Sequence, residues 1–514
     1  MFNKSLFFIK NLNEKQILLI LLGITFILRL YAVLMAQGIA FDSAAYGFMA
    51  RDFLKGHFTK GLSIPGHPFY PLLISLFSMD TTQVEITGRL LSLIFGTLTI
   101  IPLYYLVKEA AGQRVALFSA LFYTFHPYLV TYSGMMLTEA TYWGLLILSV
   151  YFFWTGLKNE KVWKIALSGF FLGLAYLTRP EGIGYIFVYL VWIVVDGILK
   201  KKWFKAIVFS GVLISSMFIF GIPYVIYVHQ ETGQWLISKK AVEAQSQLFK
   251  KSIGKIEPSK DIEQNNPEQK NSKIIWITQN IIHHFPSVIY HYLRAYHFSL
   301  WLFLFLGLIR VRQKVIAYEL FLASLVLFHL LSLSTFLPST IRFSIPVIPL
   351  SLFWAGAGIL EMKRYMEKIK IAIPENAIFL FVILVILIQL PQSLTPERRH
   401  RVEQKEVGLW LKQNTPPDAI IMSNSPQETF YADREFMMLP KGGSPPGDPG
   451  KSYDEMIRYA KSKRVHCILI NKNTQERNSG FIDAIQSKDM SQSKDLKEVF
   501  RKMDQSLIIY EVID

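Results

Sequence analysis

Long apolar runs that carry almost no charge are the feature that most restricts the fold of this sequence. A run of about 18–25 such residues is long enough to cross the hydrocarbon core of a bilayer as a helix. Hydrophobic residues make up 52% of the chain and charged residues only 18%, against about 25% charged in an ordinary soluble protein. Eleven runs are predicted to span the membrane: residues 17–35, 86–107, 115–132, 136–157, 163–178, 183–199, 204–228, 287–309, 316–336, 343–360 and 372–391.

The run at 287–309 is the least regular of the eleven, because His291, Arg294 and His297 interrupt its start. Between the spans, basic residues cluster before the first span and after every second one. These clusters are Lys4, Lys10 and Lys15; Lys108 and Arg114; Lys158, Lys161 and Lys164; Lys200, Lys201, Lys202 and Lys205; Arg310, Arg312 and Lys314; and Lys363, Arg364, Lys368 and Lys370. Basic loops mark the cytoplasmic face of a membrane protein. The alternation therefore predicts a multi-pass protein of the plasma (inner) membrane, with a cytoplasmic N-terminus and an extracytoplasmic C-terminal domain.

The net charge of +16 has the same origin. A basic chain is a candidate for nucleic-acid binding, but here the excess is explained by cytoplasmic anchoring of the spans. No nucleic-acid partner is expected. The single cysteine, Cys467, excludes an intrachain disulfide and any zinc or iron–sulfur site built on cysteines.

The composition changes sharply after the last apolar run and divides the chain into two predicted domains. Residues 1–391 form a transmembrane domain with two long extracytoplasmic loops, 37–85 and 229–286, and residues 392–514 form a soluble α/β domain. In the tail, short apolar runs predict strands at Ala419–Met422, His466–Ile470 and Leu507–Val512, and helical spacing predicts helices near 400–413, 452–464 and 494–503. The fold class is an all-α polytopic membrane protein with about eleven spans and a C-terminal α/β domain.

Ionisable residues collect near the extracytoplasmic ends of the predicted spans. Such residues are costly beside a membrane and are candidates for function or for pairing with each other. The set comprises Asp42, His67, Glu139, Arg179, Glu181 and Arg342, with Arg29 and Arg89 within about two turns of the same face. A cluster of both signs at one depth is what an enzyme needs to bind a lipid-linked phosphate and to remove a proton from an acceptor.

Each candidate also has a purely structural interpretation. Asp42 precedes an Ala-rich stretch, where an Asp is commonly the N-cap of a helix. His67 lies among three prolines, which predict a rigid turn or broken helix followed by a re-entrant apolar run. Glu139 opens an apolar helix, where the helix dipole favours an acid. The guanidinium groups of Arg179 and Arg342 suit a phosphate, and pairing with Glu139 or Glu181 is the competing explanation.

These segments, taken in order, resemble the integral-membrane glycosyltransferases of the GT-C class. Within that class the chain is similar to the protein-O-mannosyltransferase and aminoarabinose-transferase-like branch, including the RgtA/B/C/D-like proteins. The resemblance covers about residues 20–360. It rests on the ordered set RLY at 29–31, FDSAAY at 41–46, HPFYP at 67–71, GRLLSLIFG at 88–96, HPYLVTYS at 126–133, TE at 138–139, LTRPEG at 177–182 and RFSIPVIP at 342–349.

The resemblance implies a polyprenyl-phosphate sugar as donor, transfer with inversion, and an active site at the extracytoplasmic membrane boundary. The first-loop acid of the family acts as the general base, and by position it corresponds to Asp42. Residues near the lipid phosphate would correspond to His67, Arg179 and Arg342, and Glu139, Glu181, Arg89 and Tyr46 lie in the same motifs as further substrate-binding candidates. Many relatives have an acidic pair in the first loop, whereas Ser43 follows Asp42 here.

The sequence therefore favours a glycosyltransferase that moves a sugar from a polyprenyl-phosphate donor to an extracytoplasmic lipid, glycan or protein. No DxD motif is present, so the metal-dependent arrangement of the oligosaccharyltransferases is not supported. No metal and no other cofactor are expected. Two alternatives stay open: a transporter or lipid flippase without transferase chemistry, and a ligase that moves a preassembled glycan from a diphosphate lipid. The absence of an internal inverted repeat and the placement of the charges at one face weigh against the transporter.

Overall fold

The computed structural model describes residues 13–239, 267–309, 315–336, 340–371, 374–395, 402–440, 453–471, 494–502 and 506–513. In chain order the first ten helices are α1 Glu14–Met35, α2 Phe41–Leu54, α3 Phe58–Ser63, α4 Phe69–Phe77, α5 Val84–Leu98, α6 Ile100–Ala111, α7 Gln113–Phe125, α8 Pro127–Ser133, α9 Thr138–Lys158 and α10 Val162–Thr178. They are followed by α11 Tyr185–Lys200, α12 Trp203–Thr232, α13 Pro267–Tyr296, α14 Trp301–Ile309, α15 Ile316–Phe336, α16 Ile341–Ser344, α17 Ile348–Lys368 and α18 Glu375–Leu394. Short 3₁₀ helices lie at Pro180–Gly184, Phe298–Leu300 and Ile345–Val347.

The last part of the chain contains the helices α19 Val402–Asn414, α20 Pro426–Ala432 and α21 Tyr453–Ser462. Its strands are β1 Ile420–Ser423, β2 Glu435–Met438, β3 Val465–Asn471, β4 Leu496–Arg501 and β5 Leu507–Val512. The prediction of a helical membrane protein with a C-terminal α/β region is therefore confirmed.

Eight helical segments within the described part of the chain are long and apolar enough to cross a membrane. They are Glu14–Met35, Val84–Ala111, Thr138–Lys158, Pro180–Lys200, Trp203–Thr232, Ile316–Thr335, Ile341–Lys368 and Ala377–Leu394. Each matches one of the eleven predicted runs, and the chain is a multi-pass membrane protein. The orientation of its termini and the identity of the membrane stay predictions.

The other three predicted spans have different structures. Residues 163–178 form α10, a helix of 17 residues. Residues 115–132 are divided between α7 and α8, since Pro127 has no N–H and cannot continue a helix. The run at 287–309 belongs to two helical pieces that meet at His297 with a bend of 85°. His297 has a left-handed φ of 71°, so the break falls on a residue that already interrupts the apolar pattern.

The two predicted loops also contain regular structure. The first loop, 37–85, holds α2, α3 and α4. In the second, 229–286, which is rich in Lys, Gln, Asn and Glu, α12 extends into the start and α13 occupies the last part from Pro267 onward. A polar composition does not exclude a helix, because α13 continues into an apolar segment that anchors it. Residues 240–266 of this loop lie outside the described residues.

Contacts divide the chain into two compact units. The first comprises residues 1–35, 62–78 and 86–396 and contains the membrane-spanning helices. The second comprises residues 36–61, 79–85 and 397–514, so part of the first loop groups with the C-terminal sheet. The boundary between 391 and 392 that composition suggests stays a prediction, and composition gave no sign that residues 36–61 join the second unit.

The sheet of the second unit has the strand order β2-β1-β3-β5-β4. The strands β2, β1 and β3 are parallel, whereas β5 is antiparallel to both β3 and β4. Side chains alternate between two buried faces, with Met422 and Ile468 in one core cluster and Ile421 and Cys467 in the other. Burial raises the pKa of the Cys467 thiol to about 12, which keeps it protonated.

The three predicted strands of this sheet are present, but one predicted helix is wrong. Residues 494–503 contain strand β4 instead, paired with β5 from Leu496 to Arg501. Leu496, Val499 and Phe500 have the spacing of a helix face, but Leu496 and Phe500 pair with β5, and Val499 lies at a register shift between Glu498 and Phe500. Strand β2 and helix α20 were not anticipated.

A fully buried carboxylate, Glu428 of α20, lies beside the last residue of β3. Glu428 accepts hydrogen bonds from the Ser425 hydroxyl and from Asn471 Nδ2, the latter at 2.9 Å. Both of these partners are neutral, so these two contacts bring no positive charge that would offset the cost of burying an ionised carboxyl group. Burial raises the pKa of Glu428 above its ordinary value.

Replacing Glu428 with Gln is expected to stabilise the second unit at alkaline pH. A raised folded pKa means that the stability contributed by the proton is present below about pH 4.3 and is lost as the pH rises through the folded pKa. The amide does not ionise. Its oxygen can accept from Asn471 Nδ2, and its NH2 can donate to the Ser425 hydroxyl, which can itself donate to Gln427 Oε1. The buried Cys467 reacts with a pyridyl disulfide only when the sheet opens, so the midpoint temperature of this reaction measures the stability of the sheet. We expect the midpoint of the variant to exceed that of wild type most at pH 8 and least at pH 5.

The control is Glu435→Gln, at a side chain that is 53% exposed and paired with Lys60 on the surface. Surface pairs contribute about 0–1 kcal/mol, so this variant should follow wild type at every pH. An identical pH dependence for wild type and Glu428→Gln would contradict the argument.

Candidate functional site

Four of the predicted site residues form one buried ionic cluster in the first unit. Glu139 is fully buried, and its Oε1 accepts from Arg179 Nη1 at 2.9 Å and from Arg342 Nε. Arg179 also donates through Nη2 to Glu181 Oε1 at 3.0 Å. The structure thus brings together residues from three separate sequence motifs. We call Glu139, Arg179, Glu181 and Arg342 the ionic cluster.

The members of the ionic cluster lie at the ends of helices or in short helical segments. Glu139 is the second residue of α9. Arg179 is extended at φ −150° and ψ 138°, as expected for a residue before proline, and Pro180 opens the 3₁₀ helix that contains Glu181. Gly182 is required there, because an added Cβ would lie 2.6 Å from the backbone nitrogen of Tyr176. Arg342 lies in the four-residue helix α16.

The two arginines and two glutamates balance in charge. Their side chains are 0% exposed at Glu139, 8% at Arg179, 15% at Glu181 and 19% at Arg342, so Arg342 is the more accessible arginine. The predicted pairing of these arginines with Glu139 and Glu181 is therefore present. Oε2 of Glu139 and of Glu181 and Nε of Arg179 are buried without a hydrogen bond in the described part of the protein. The ionic cluster therefore has two acceptor atoms and one donor atom that its internal hydrogen bonds do not use.

Asp42 does not cap its helix, contrary to one interpretation of its position. The N-cap of α2 is Ala40, whose backbone N–H donates to the Ser43 hydroxyl at 3.2 Å. Asp42 is two residues further on, in the first turn, where the helix dipole favours a carboxylate. The side chain is half-buried and belongs to the second unit, and Tyr46 follows one turn later with 5% exposure.

His67 is enclosed by aromatic rings in the first unit. Its Nε2 lies 3.0 Å from the Ser238 hydroxyl, and its ring centroid lies 5.4 Å from that of Tyr176 and 5.0 Å from that of Tyr224. Tyr176 belongs to the last turn of α10, three residues before Arg179 in the sequence. The helix after it, α4, has nine residues and is too short to cross a bilayer.

Tyr176, Tyr224 and Ser238 had not been predicted as neighbours of the site. Tyrosines are common throughout membrane helices, so no sequence signal marks these two. Arg89, the remaining predicted residue, is buried on α5 and donates to the backbone oxygen of Val33 at 3.5 Å. No role in substrate binding follows from that contact alone.

Arg29 stabilises the end of helix α7 in the first unit. It is fully buried, and its guanidinium donates to the backbone oxygens of Tyr123 and Thr124 at 3.3 and 3.4 Å. These carbonyls end α7, and the residue four positions after Tyr123 is Pro127, which has no N–H to offer. The guanidinium therefore caps the broken helix, aided by the Tyr123 ring at 4.7 Å.

Replacing Arg29 with Met is expected to destabilise the protein by about 1–3 kcal/mol, because two buried carbonyls lose their donor. A lower midpoint of thermal unfolding in detergent would show this. The matched control is Ile27→Met on the same helix, where the side chain is 64% exposed and should be replaceable without loss. An unchanged midpoint for Arg29→Met would contradict the capping role.

No group of three or more His, Cys, Asp or Glu side chains is arranged to hold a metal ion among the described residues. What the site offers is two arginines, two carboxylates and a histidine near helix breaks. Guanidinium groups in such a setting can bind a phosphate, and a carboxylate can accept a proton from a hydroxyl.

Comparison with known proteins finds one matching family model and a related yeast protein. Residues 65–227 match the family model described as dolichyl-phosphate-mannose-protein mannosyltransferase. The protein dolichyl-phosphate-mannose–protein mannosyltransferase 1 of Saccharomyces cerevisiae is 23% identical over 248 residues, which are 42% of this chain and 29% of that protein. The chain thus spans less than a third of the length of this curated relative.

Solved structures match over a larger share. ArnT from Cupriavidus metallidurans, in the apo state and bound to undecaprenyl phosphate, superimposes with a TM-score of 0.60 over 96% of this chain and 97% of its own, at 12% and 11% identity. The oligosaccharyltransferase of Archaeoglobus fulgidus, in complex with Zn and sulfate, gives a TM-score of 0.51 over 88% of this chain and 68% of its own, at 12% identity.

The matched proteins are glycosyltransferases, and the resemblance found in the ordered motifs is confirmed by both kinds of comparison. The chain has the fold of the GT-C integral-membrane glycosyltransferases, and its residues 65–227 match the family model of the dolichyl-phosphate-mannose-protein mannosyltransferases.

Proposed function

We propose that this protein transfers a sugar from a polyprenyl-phosphate donor to an acceptor on the extracytoplasmic side of the plasma (inner) membrane. The acceptor is a lipid, a glycan or a protein. The observation that carries the proposal is the ionic cluster, which lies at helix ends and in short helical segments of a GT-C fold. Membrane helices let the donor keep its hydrocarbon tail in the bilayer and present only its head.

The donor class is supported by the relatives. ArnT from Cupriavidus metallidurans has been solved with undecaprenyl phosphate, and the matching family model is named for a dolichyl-phosphate sugar. Both ligands are a phosphate on a long polyprenyl chain. A site that takes such a donor needs cationic groups for the phosphate, and Arg342 is the more exposed arginine of the ionic cluster.

In the proposed reaction, Asp42 removes the proton from the acceptor hydroxyl as the oxygen attacks the anomeric carbon. The bond between this carbon and the phosphate oxygen breaks, and the phosphate leaves with the electron pair on the opposite side, so the configuration inverts. A lipid phosphate is a good leaving group. Arg179 and Arg342 stabilise its charge, since donors aimed at a developing anion lower the barrier most in a water-poor site.

The other candidates have supporting roles in this proposal. His67 and Arg89 contribute to the surface that holds the donor head, and Tyr46, one turn after Asp42 on the same helix, contributes to substrate binding beside the base. Glu139 and Glu181 hold the arginines in place until the phosphate binds. Neither a metal nor another cofactor enters the steps, and no nucleic acid is a partner.

The test is a transfer assay with the full-length chain in vesicles. The donors are undecaprenyl phosphate carrying a tritiated hexose and the same lipid carrying a tritiated pentose, and a cell-envelope extract supplies the acceptors. We expect label in the envelope fraction together with free undecaprenyl phosphate, and neither in vesicles that lack the protein. Label that crosses the bilayer without covalent transfer would replace the proposal with a flippase, and transfer only from a diphosphate-linked glycan would replace it with a ligase.

A further inference from the structure

We infer that helix α20 and strand β2 of the C-terminal sheet hold α2 in place and thereby position Asp42, with Arg51 and Gly47 as positioning residues. The inference rests on the proposed role of Asp42 as the base. All of these elements belong to the second unit. The C-terminal region then contributes to catalysis by positioning the base.

The first contact is a close approach of α2 to α20 at Gly47. A Cβ added at Gly47 would lie 2.9 Å from Cδ2 of Phe430 and still closer to Cε2. The ring of Phe430 is not free to swing aside, because it stands edge-on to Phe48 at 5.9 Å and beneath the Arg51 guanidinium at 4.0 Å. Phe48 in turn stacks on Phe436 of β2 at 5.7 Å. Only a glycine at position 47 allows this approach.

The second contact is made by Arg51, which is 9% exposed. Its Nη1 donates to the backbone oxygen of Phe430 at 2.9 Å and lies 3.3 Å from Asp433 Oδ1. Its Nε donates to the backbone oxygen of Thr81 at 3.3 Å. One side chain thus joins α2 to α20 and to the segment before α5. A buried arginine that uses several donors at once fixes orientation as well as distance.

These contacts lie on the side of α2 opposite to Asp42. At about 100° per residue, Gly47 is about 140° around the helix from Asp42, and Arg51 is about 180° from it. Tyr46 and Met49 share the side of Asp42, within about 40° of it. Helix α20 and strand β2 therefore pack against the side of α2 that is opposite to Asp42, and the side that carries the proposed base faces away from them.

This packing affects catalysis because a general base must lie within hydrogen-bond distance of the proton that it removes. A displacement of 1 Å can lower a catalytic rate about 100-fold, and the donor phosphate is assigned to residues outside α2. Disturbing the back of α2 should therefore lower kcat and leave the KM for the donor unchanged. Loss of a general structural support would lower the yield of folded protein without separating these two quantities.

The experiment measures transfer from the undecaprenyl-phosphate sugars by Gly47→Ala in full-length protein in vesicles. We expect kcat to fall roughly 100-fold with KM unchanged, and amide hydrogen exchange in residues 41–54 to become faster. Adding Phe430→Leu shortens the opposing ring and should restore kcat to within about tenfold of wild type. The matched control is Gly211→Ala, where an added Cβ meets nothing within 4 Å and both readouts should stay at the wild-type values.

The second variant is Asp433→Asn, used if Gly47→Ala is not recovered in folded form. Asp433 has a left-handed φ of 54°, which asparagine tolerates, so the change removes only the charge opposite Arg51. A severalfold lower kcat at unchanged KM is expected. Unchanged kcat in the folded variants, in a protein that Asp42→Asn inactivates, overturns the positioning role and leaves the proposed function standing. Full transfer by Asp42→Asn, or no transfer by wild type, overturns the proposed base and the positioning role together.

Discussion

Asp42→Asn is expected to lower the rate of sugar transfer by about 10²–10⁴-fold, the usual contribution of a general base. The amide keeps the size of the side chain and its place in the first turn of α2, but it cannot accept the proton of the acceptor hydroxyl. Single-turnover transfer from an undecaprenyl-phosphate sugar in vesicles measures the effect. Because the donor phosphate is assigned to other residues, the affinity for undecaprenyl phosphate should stay at the wild-type value.

The matched control for this prediction lies on the same helix. Asp52 is also half-buried near the end of α2, and its pKa is raised by burial, so it too is a carboxyl group in a partly apolar setting. Asp52→Asn should transfer sugar at the wild-type rate. Full activity of a folded Asp42→Asn variant would remove Asp42 from the mechanism and direct attention to the carboxylates of the ionic cluster.

Most of the membrane architecture could be predicted from the sequence, because a bilayer imposes a simple requirement. Every spanning helix must be long and apolar, and eight of the predicted runs meet this requirement as helices. The failures fall where backbone geometry decides. The run at 115–132 is apolar throughout, yet Pro127 divides it, and the freed carbonyls are satisfied by Arg29 from a helix about a hundred residues earlier. Hydropathy carries no information about such a partner.

The candidate site was predictable as a set of residues but not as an arrangement. Glu139 meets Arg342 across 203 positions of sequence, and composition cannot say which of several arginines a buried glutamate will choose. The second unit was harder still. Leu496, Val499 and Phe500 fit a helix face as well as a strand, and the pairing with β5 decides between them. Gly47 likewise looks unremarkable until the Phe430 ring is placed against it.

Glu139→Gln is expected to be the most destabilising single change in the ionic cluster. Glu139 is fully buried and is shared by Arg179 and Arg342, so its loss leaves two arginines opposite Glu181 alone. Removing one partner of a buried ion pair costs about 3–5 kcal/mol, because the remaining charge is left without compensation. The midpoint of thermal unfolding in detergent should fall accordingly. Glu109→Gln is the matched control, since its pair with Lys158 is 40–49% exposed and contributes about 0–1 kcal/mol.

The same variant separates a structural cluster from a phosphate site. If the arginines receive the donor phosphate, the Glu139 carboxylate competes with it, and Glu139→Gln should bind undecaprenyl phosphate more tightly than wild type does. A ligand that binds only the folded state raises the unfolding midpoint, and it raises it more as its affinity grows. Undecaprenyl phosphate should therefore raise the unfolding midpoint of Glu139→Gln by more than it raises the unfolding midpoint of wild type. A midpoint that this lipid leaves unchanged in both proteins would mean that the arginines serve only to pair with the glutamates.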